Sequence, residues 1–142
     1  MKVREPRASD YAPVKAMLAD AGLPTEDFVP EHLAFVAEEN GEVVAAIGFE
    51  ALGEVGLMRS LVVADGIRFQ GLGRKLVDTL ETRAQAQGVS EIWLLTLGVD
   101  AYFLGLGYQP RNRSEAPTSL RRTAEFSELC PDSATLMSKK LC

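Results

Sequence analysis

The chain has 142 residues, of which 46% are hydrophobic and 25% charged, and its formal net charge is -5. This length predicts one domain over residues 1–142, and the near-average composition excludes disordered, collagen-like and coiled-coil proteins. The acidic balance argues against nucleic-acid and membrane partners, because both need a positive field over the protein surface. A local basic pocket for one anionic ligand is still compatible with it.

The first residues alternate charged with apolar side chains and lack the apolar core of a signal peptide. The most continuous apolar run, residues 43–49, is far shorter than the roughly 20 residues that span a bilayer. We therefore expect a cytoplasmic protein in which Cys130 and Cys142 stay reduced. His32 is the only histidine, so neither a zinc site nor a Ser-His-Asp triad is expected.

In chain order, the first half predicts a strand, a helix and an antiparallel meander. Asp10 is placed to cap the helix, and Gly22 ends it. Asn40-Gly41 suits a tight hairpin, because both residues tolerate positive φ, and Gly53 marks the next turn. The strands predicted in this half span residues 3–6, 33–38, 42–50 and 55–64.

The second half predicts helices alternating with strands. Apolar residues recur at helical spacing in 71–87, whereas 92–97 is a run without alternation, typical of a strand buried on both faces. The remaining elements are helices over 100–106 and 117–126 and strands over 108–111 and 134–141. The fold class is therefore α/β or α+β, with a mixed central sheet and flanking helices.

The loop before the helix over 71–87 contains two alternate glycines, Gly71 and Gly73. A helix start presents unpaired N–H groups and the positive end of the helix dipole, and glycines let a phosphate approach the backbone closely. Arg68, Arg74 and Lys75 add positive charge around it. The loop predicts a phosphate site, and a glycine turn that merely packs a helix against a strand is the alternative.

Two well-known phosphate loops do not fit this segment. A dinucleotide fingerprint needs a third glycine where this chain has Leu76. A Walker loop needs Lys and Ser or Thr where this chain has Leu72-Gly73.

The segment Arg68-Phe69-Gln70-Gly71-Leu72-Gly73 resembles the Arg/Gln-x-x-Gly-x-Gly/Ala signature of the GCN5-related N-acetyltransferases, the GNAT family. A later segment, residues 102–108, is similar to the family pattern Phe-Tyr-x-x-x-Gly-Phe. The resemblance covers nearly the whole chain. It implies a single GNAT-like domain with a splayed cofactor slot between the strands at 55–64 and 91–97.

The resemblance also implies acetyl-CoA as co-substrate and direct transfer of its acetyl group to the amine of a small molecule. Loop N–H groups would hold the pyrophosphate, and the preceding strand would pair with the pantetheine arm. A backbone N–H at Val63 would stabilise the oxyanion. The implied cofactor-binding residues are Leu61, Val62, Val63, Arg68, Phe69, Gln70, Gly71, Leu72, Gly73, Arg74 and Phe103.

The chain departs from the family pattern at both acid–base positions. Phe103 stands where many relatives carry the tyrosine acid, and Leu57 where some carry a glutamate base. Tyr102 is the candidate acid, with aromatic packing as the alternative, since adjacent helical residues point about 100° apart. A water chain, or an acceptor that arrives neutral, would replace the base.

Arg59 shares a strand face with Leu57 and would suit the carboxylate of an acceptor. The alternative is an ion pair with Glu50 on the neighbouring strand. Arg121 and Arg122 could extend an anion pocket, although an exposed helix face explains them equally well. These residues favour a small carboxylate-bearing amine, such as an amino acid.

The C-terminal part is similar to the GNAT branch associated with arsenic-resistance operons, through segments such as Leu94-Leu95-Thr96 and Thr123-Ala124-Glu125-Phe126. The predicted function is an acetyl-CoA-dependent N-acetyltransferase acting on a small amine. A non-catalytic acetyl-CoA-binding sensor or partner domain is the alternative of a different class. A homodimer is left open.

Overall fold

The computed structural model describes residues 2–23, 25–67, 71–123, 126 and 133–141. The strands within these ranges are β1 (Lys2–Arg4), β2 (Leu33–Glu39), β3 (Glu42–Leu52), β4 (Val55–Val63), β5 (Glu91–Thr96), β6 (Gln109–Arg111) and β7 (Thr135–Lys140). The α-helices there are α1 (Tyr11–Asp20), α2 (Leu72–Ala86), α3 (Asp100–Gly105) and α4 (Thr118–Arg121).

The strands form one mixed sheet in the order β1-β2-β3-β4-β5-β7-β6. Every neighbouring pair is antiparallel except β4 and β5, which run parallel. Registered pairing between β4 and β5 ends at Leu57 and Trp93, although β4 continues to Val63 and β5 to Thr96. The predicted mixed sheet and its slot between these two strands are therefore confirmed.

Helices cover the sheet on both faces. On one face α2 contributes Leu76 and Leu80, both essentially fully buried, and burying each such side chain stabilises the fold by roughly 1.5–3 kcal/mol. On the other face α1 packs Val14 and Leu18 against the first strands, and α4 packs Leu120 against the later ones. No helix in the described part of the chain is both long and apolar enough to cross a membrane.

The turns follow the predicted chemistry. Asn40 and Gly41 have φ of 54° and 81° and join β2 to β3, while Gly53 has φ of 84° between β3 and β4. These are left-handed conformations that glycine and asparagine adopt more readily than other residues. The predicted meander of β2, β3 and β4 is confirmed.

Asp10 does not cap α1 with its side chain, contrary to the prediction. Its carboxylate instead accepts hydrogen bonds from the Arg4 guanidinium (2.8 and 3.1 Å) and from the Arg7 N–H (2.6 Å). These bonds hold the pKa of Asp10 below its ordinary value, chiefly through Arg4. The carboxylate therefore ties α1 to β1.

The element bounds shift by one or two residues at most elements, and two differences have a clear physical cause. The first strand ends at Arg4, before Pro6, which has no N–H to contribute to a ladder. The helix predicted over 117–126 is the short α4, which ends where the Thr123 N–H donates to the Leu120 carbonyl, three residues back (3.1 Å). Cys130 and Cys142 lie outside the described residues.

Candidate functional site

A β-bulge bends β4 just beyond its paired segment. Gly48 of β3 lies opposite Arg59, but Ala46 lies opposite Val62, so β4 carries one extra residue between these pairs. Ser60, within that stretch, has a φ of 58°, which is uncommon for a residue other than glycine. A bulge increases the local twist and reverses the alternation of faces. It lies along the part of β4 that has parted from β5.

Beyond the bulge, β4 directs its side chains and N–H groups in a regular pattern. Leu61 and Val63 pack toward α2, and Val62 packs toward α1. The Ala64 N–H donates to the Val44 carbonyl of β3 (2.8 Å). Because successive N–H groups of a strand point to opposite edges, the Val63 N–H is directed to the β5 edge. This is the edge that borders the slot.

The glycine loop leads into α2 at the same end of β4. Gly71, immediately before the helix, has a φ of 78°, and the side chain of Leu72 is buried in the core. The Lys75 N–H donates to the Gly71 carbonyl (3.1 Å). The backbone N–H groups before Lys75 belong to the first turn, which has no intrahelical acceptors for them. Residues 68–70, predicted to bind the cofactor, lie outside the described residues.

Helix α3 packs over the start of α2. The Tyr102 hydroxyl lies so close to Gly73 that a Cβ on that glycine would overlap it. Arg74 donates from Nη2 to the Gly105 carbonyl at the end of α3 (3.2 Å). Burial raises the pKa of Tyr102, and the nearby Arg74 charge opposes that rise. The tyrosine hydroxyl therefore lies at the glycine loop.

Phe103 and Tyr102 are adjacent in α3 but differ in burial. Phe103 is 7% exposed and belongs to the core beneath α2, whereas Tyr102 is 43% exposed. The Phe103 ring makes edge-to-face contacts with Tyr102 (5.3 Å) and Tyr108 (6.0 Å between ring centroids). The role of Tyr102 as the acid stays a prediction.

A group of charged side chains lies on the sheet face opposite α2. The Arg59 side chain is fully buried and donates to both oxygens of Asp27 (2.6 Å each) and to Glu50 Oε2 (3.0 Å). The ion pair with Glu50, one of the two alternatives for Arg59, is therefore present. The Arg59 hydrogen bonds hold the pKa of Asp27 below its ordinary value. A role of Arg59 in binding an acceptor stays a prediction.

His32 completes this group, which we name the Arg59 cluster: Asp27, His32, Glu50 and Arg59. Its Nε2 lies 3.7 Å from Glu50 Oε1, and its Nδ1 is buried without a hydrogen-bond partner among the described residues. Sequence reasoning did not select Asp27 or His32 as functional. Asp27 and Arg59 are 32 positions apart in the chain, and no local motif connects them.

The Arg59 cluster also contains three side chains of metal-ligating type, with ligand atoms within 4.8 Å of one another. Both carboxylates already bond the Arg59 guanidinium, so fewer of their oxygen atoms are available to a metal ion. Two carboxylates against one guanidinium still leave a net negative charge, which suits a cationic amine.

Arg121, the last residue of α4, and Arg122, which follows it, differ in their contacts. Arg121 donates to the backbone carbonyls of Ala116 (2.9 Å) and Ser114 (2.6 Å), so it supports the turn before the helix. Arg122 is exposed. An exposed helix surface accounts for both.

Comparison with known proteins gives a consistent family. A family model described as "Acetyltransferase (GNAT) family" matches residues 4–103. An uncharacterized N-acetyltransferase of Chlorobaculum tepidum is 33% identical over 96 residues, which are 65% of this chain and 61% of that protein. The chain thus spans less than two thirds of the length of this relative.

Solved structures share the fold over essentially the whole chain. N-acetylglutamate synthase from Neisseria gonorrhoeae, complexed with coenzyme A and N-acetyl-glutamate, superimposes with a TM-score of 0.84 at 16% identity, over 99% of this chain and 35% of that one. A Mycobacterium tuberculosis protein in complex with CoA gives 0.83 at 20% identity, over 100% of both chains.

Proposed function

Because the chain belongs to the GNAT acetyltransferase family, we propose that it transfers the acetyl group of acetyl-CoA directly to the amine of a small molecule. The observation that carries the proposal is the slot where β4 and β5 part, with the Gly71 turn and the start of α2 at its end. Both structural neighbours described above were crystallised with coenzyme A, which supports acetyl-CoA as the donor.

In this proposal the glycine loop and the first turn of α2 hold the pyrophosphate. Backbone N–H groups from residues 69–74 make the contacts. Leu72 contributes only its N–H, because its side chain is buried. The pantetheine arm follows residues 61–63, and the Val63 N–H stabilises the oxyanion of the tetrahedral intermediate. Phe103 forms part of the wall beneath Tyr102.

For the acceptor we propose a small amine that also carries a carboxylate, such as an amino acid. The N-acetyl-glutamate bound to the gonococcal synthase supports this class. Membership of the arsenic-resistance-associated branch stays a proposal that rests on the C-terminal sequence segments. An acceptor carboxylate that reached Arg59 would have to displace Asp27, which already holds that guanidinium with two hydrogen bonds. A cytoplasmic location and a homodimer stay predictions that fractionation and sedimentation would test.

A thiol-release assay tests the proposal. Purified protein is incubated with acetyl-CoA and, one at a time, the common amino acids, polyamines and aminated antibiotics, and mass spectrometry identifies the product. We expect release of CoA with at least one amine and a product heavier by one acetyl group. Binding of acetyl-CoA by calorimetry without turnover on any amine would favour the non-catalytic sensor. Absence of binding would leave only a structural role for the glycine turn.

Changing Tyr102 to Phe separates the two roles considered for this tyrosine. Because the hydroxyl lies against Gly73, we expect the variant to raise the KM for acetyl-CoA a few-fold and to change kcat less than about threefold. General acids typically contribute about 10²–10⁴-fold to the rate. If kcat instead falls by about two orders of magnitude while acetyl-CoA affinity is unchanged, Tyr102 is the acid.

A further inference from the structure

The position opposite Leu57 on the neighbouring strand carries a carboxylate. Glu50 of β3 pairs with Leu57 of β4 in the sheet register. Directly opposite residues project from the same face, with Cβ atoms about 4.5–5.5 Å apart. The resemblance places a glutamate base of some relatives at Leu57. In this chain a carboxylate therefore stands on the same face, one strand away.

The two oxygens of Glu50 have different surroundings. Oε2 accepts a hydrogen bond from Arg59 (3.0 Å), and Oε1 faces His32 Nε2 at 3.7 Å. Arg59 is fixed in turn by its two bonds to Asp27. The carboxylate is therefore held toward the imidazole. Catalytic hydrogen bonds are often long without substrate and shorten when it binds.

This arrangement defines which nitrogen of His32 is available as a base. A carboxylate facing Nε2 favours the neutral tautomer with its proton on Nε2, so the lone pair resides on Nδ1. That atom is buried and has no hydrogen-bond partner among the described residues. Since a buried acceptor without a donor is unfavourable, an incoming N–H group would be stabilised there.

Glu50 connects the imidazole to the row of the sheet where the slot begins. Glu50 is opposite Leu57, and Leu57 is the last residue of β4 in register with β5. The His32 Nε2 atom lies 3.7 Å from Glu50 Oε1. One side chain therefore separates the imidazole from that row.

From these contacts we infer that His32 is the general base of the proposed reaction and that Glu50 positions it. The inference rests on the proposed acetyl transfer. One N–H bond of the acceptor ammonium breaks as its proton moves to Nδ1, and the freed amine attacks the thioester carbonyl. The C–S bond then breaks, the thiolate takes the second amine proton, and the imidazolium returns the first to solvent. The products are the acetylated amine, CoA and one released proton.

The charges facing His32 support this step. Glu50 from β3 and Asp27 from the loop before β2 face the cluster with Arg59 from β4, so two carboxylates oppose one guanidinium. Asp27, Glu50 and Arg59 together carry one net negative charge. The approach of a cationic amine is therefore electrostatically favoured.

Variants of His32 and Glu50 test the inference. The acceptor is the amine of the panel above that the wild-type protein acetylates fastest. For His32→Gln we expect kcat/KM for the amine to fall by about 100-fold or more at about pH 7, with acetyl-CoA affinity unchanged within twofold. The defect should shrink as pH rises, because more of the amine then arrives neutral. Glu50→Gln should give a smaller loss with the same pH trend. Glu42→Gln, an exposed glutamate of the same strand, serves as the unchanged control.

Asp27→Asn is the charge-matched comparison, because it removes a carboxylate from the same guanidinium but not the one that faces Nε2. We expect it to cost less activity than Glu50→Gln. The inference is overturned if His32→Gln keeps half its activity, or if its loss is equal at every pH. If the wild-type protein releases no thiol with any amine, the proposed function fails, and the tautomer measurement below then tests the arrangement of His32 and Glu50.

The tautomer of His32 can be measured without any acceptor, and this tests whether Glu50 positions the imidazole. His32 is the only histidine, so one pair of imidazole ¹⁵N signals reports its tautomer without assignment ambiguity. We expect the proton on Nε2 at high pH in the wild-type protein, and a larger share of the other tautomer in Glu50→Gln. A wild-type tautomer with the proton on Nδ1 would overturn the inference even if the protein is an active acetyltransferase.

Discussion

Replacing Arg59 with methionine should lower the free energy of unfolding by about 3 kcal/mol. This is the largest loss of stability that we expect from breaking one group of ion pairs. The substitution keeps an unbranched apolar stem but removes the guanidinium that holds Asp27 and Glu50. Both carboxylates are about one-fifth exposed, so water relieves part of the penalty. For this reason we place the effect at the lower end of the range for broken buried ion pairs.

Urea denaturation of the variant beside Arg83→Met provides the comparison. Arg83 pairs with Glu5 at the surface, with 37% and 71% of the two side chains exposed, so its loss should cost at most about 1 kcal/mol. Adding Asp27→Asn and Glu50→Gln to the Arg59 variant should recover part of the stability. Equal losses for the two arginines would show that the Arg59 cluster contributes little.

The same variant should also change how stability depends on pH. In the wild-type protein the pKa of Asp27 lies below its ordinary value of 3.8, chiefly because of Arg59. The stability gained from this pairing is present at pH 7 and is lost as pH falls below about 4, through the lowered pKa. In the variant without Arg59, protonation of Asp27 no longer removes this stabilisation. Stability of the variant should therefore decline less steeply on acidification.

Changing Gly71 to Ala should weaken CoA binding about fivefold. At a φ of 78° a Cβ meets no atom of the described residues within 4 Å, so the cost is backbone strain, about 1 kcal/mol. Relief of that strain would turn the loop away from its left-handed conformation. The N–H groups at the start of α2 would then no longer converge on one phosphate. Calorimetry with CoA measures the effect directly.

Gly53 is the matched control. It has a φ of 84°, also has no atom near a built Cβ, and lies in the turn between β3 and β4. Gly53→Ala should lower stability by a similar amount and leave CoA affinity within twofold of wild type. Equal affinities for CoA in both variants would remove the glycine loop from the proposed cofactor site.

Much of the fold could be predicted because its signals are local. Asn40-Gly41 and Gly53 mark turns by conformational preference, and the apolar spacing of α2 marks a helix regardless of distant residues. The glycine loop is recognisable from the chemistry of a helix start and from its resemblance to a family signature. These features need only a few consecutive residues.

The Arg59 cluster could not be predicted in full, because it depends on tertiary placement. Glu50 was accessible as a neighbour of Arg59 on the adjacent strand, diagonal to it in the register, once the hairpin was assumed. Asp27 and His32 come from the segment between α1 and β2, which has no periodic pattern that would direct them to β4. Asp10 illustrates the same limit, since a residue type suited to capping bonds Arg4 and the Arg7 N–H instead.

The short parallel contact between β4 and β5 has a consequence for the apo protein. Three registered pairs join the antiparallel half-sheet β1–β4 to the half-sheet of β5, β7 and β6. Among the described residues these two strands have no further registered pair, although both continue, and incompletely paired strand edges promote association between chains. A cofactor whose amide groups hydrogen-bond both strands would hold the two half-sheets together. Solubility and resistance to aggregation would then increase with the concentration of acetyl-CoA, which binds in the same slot.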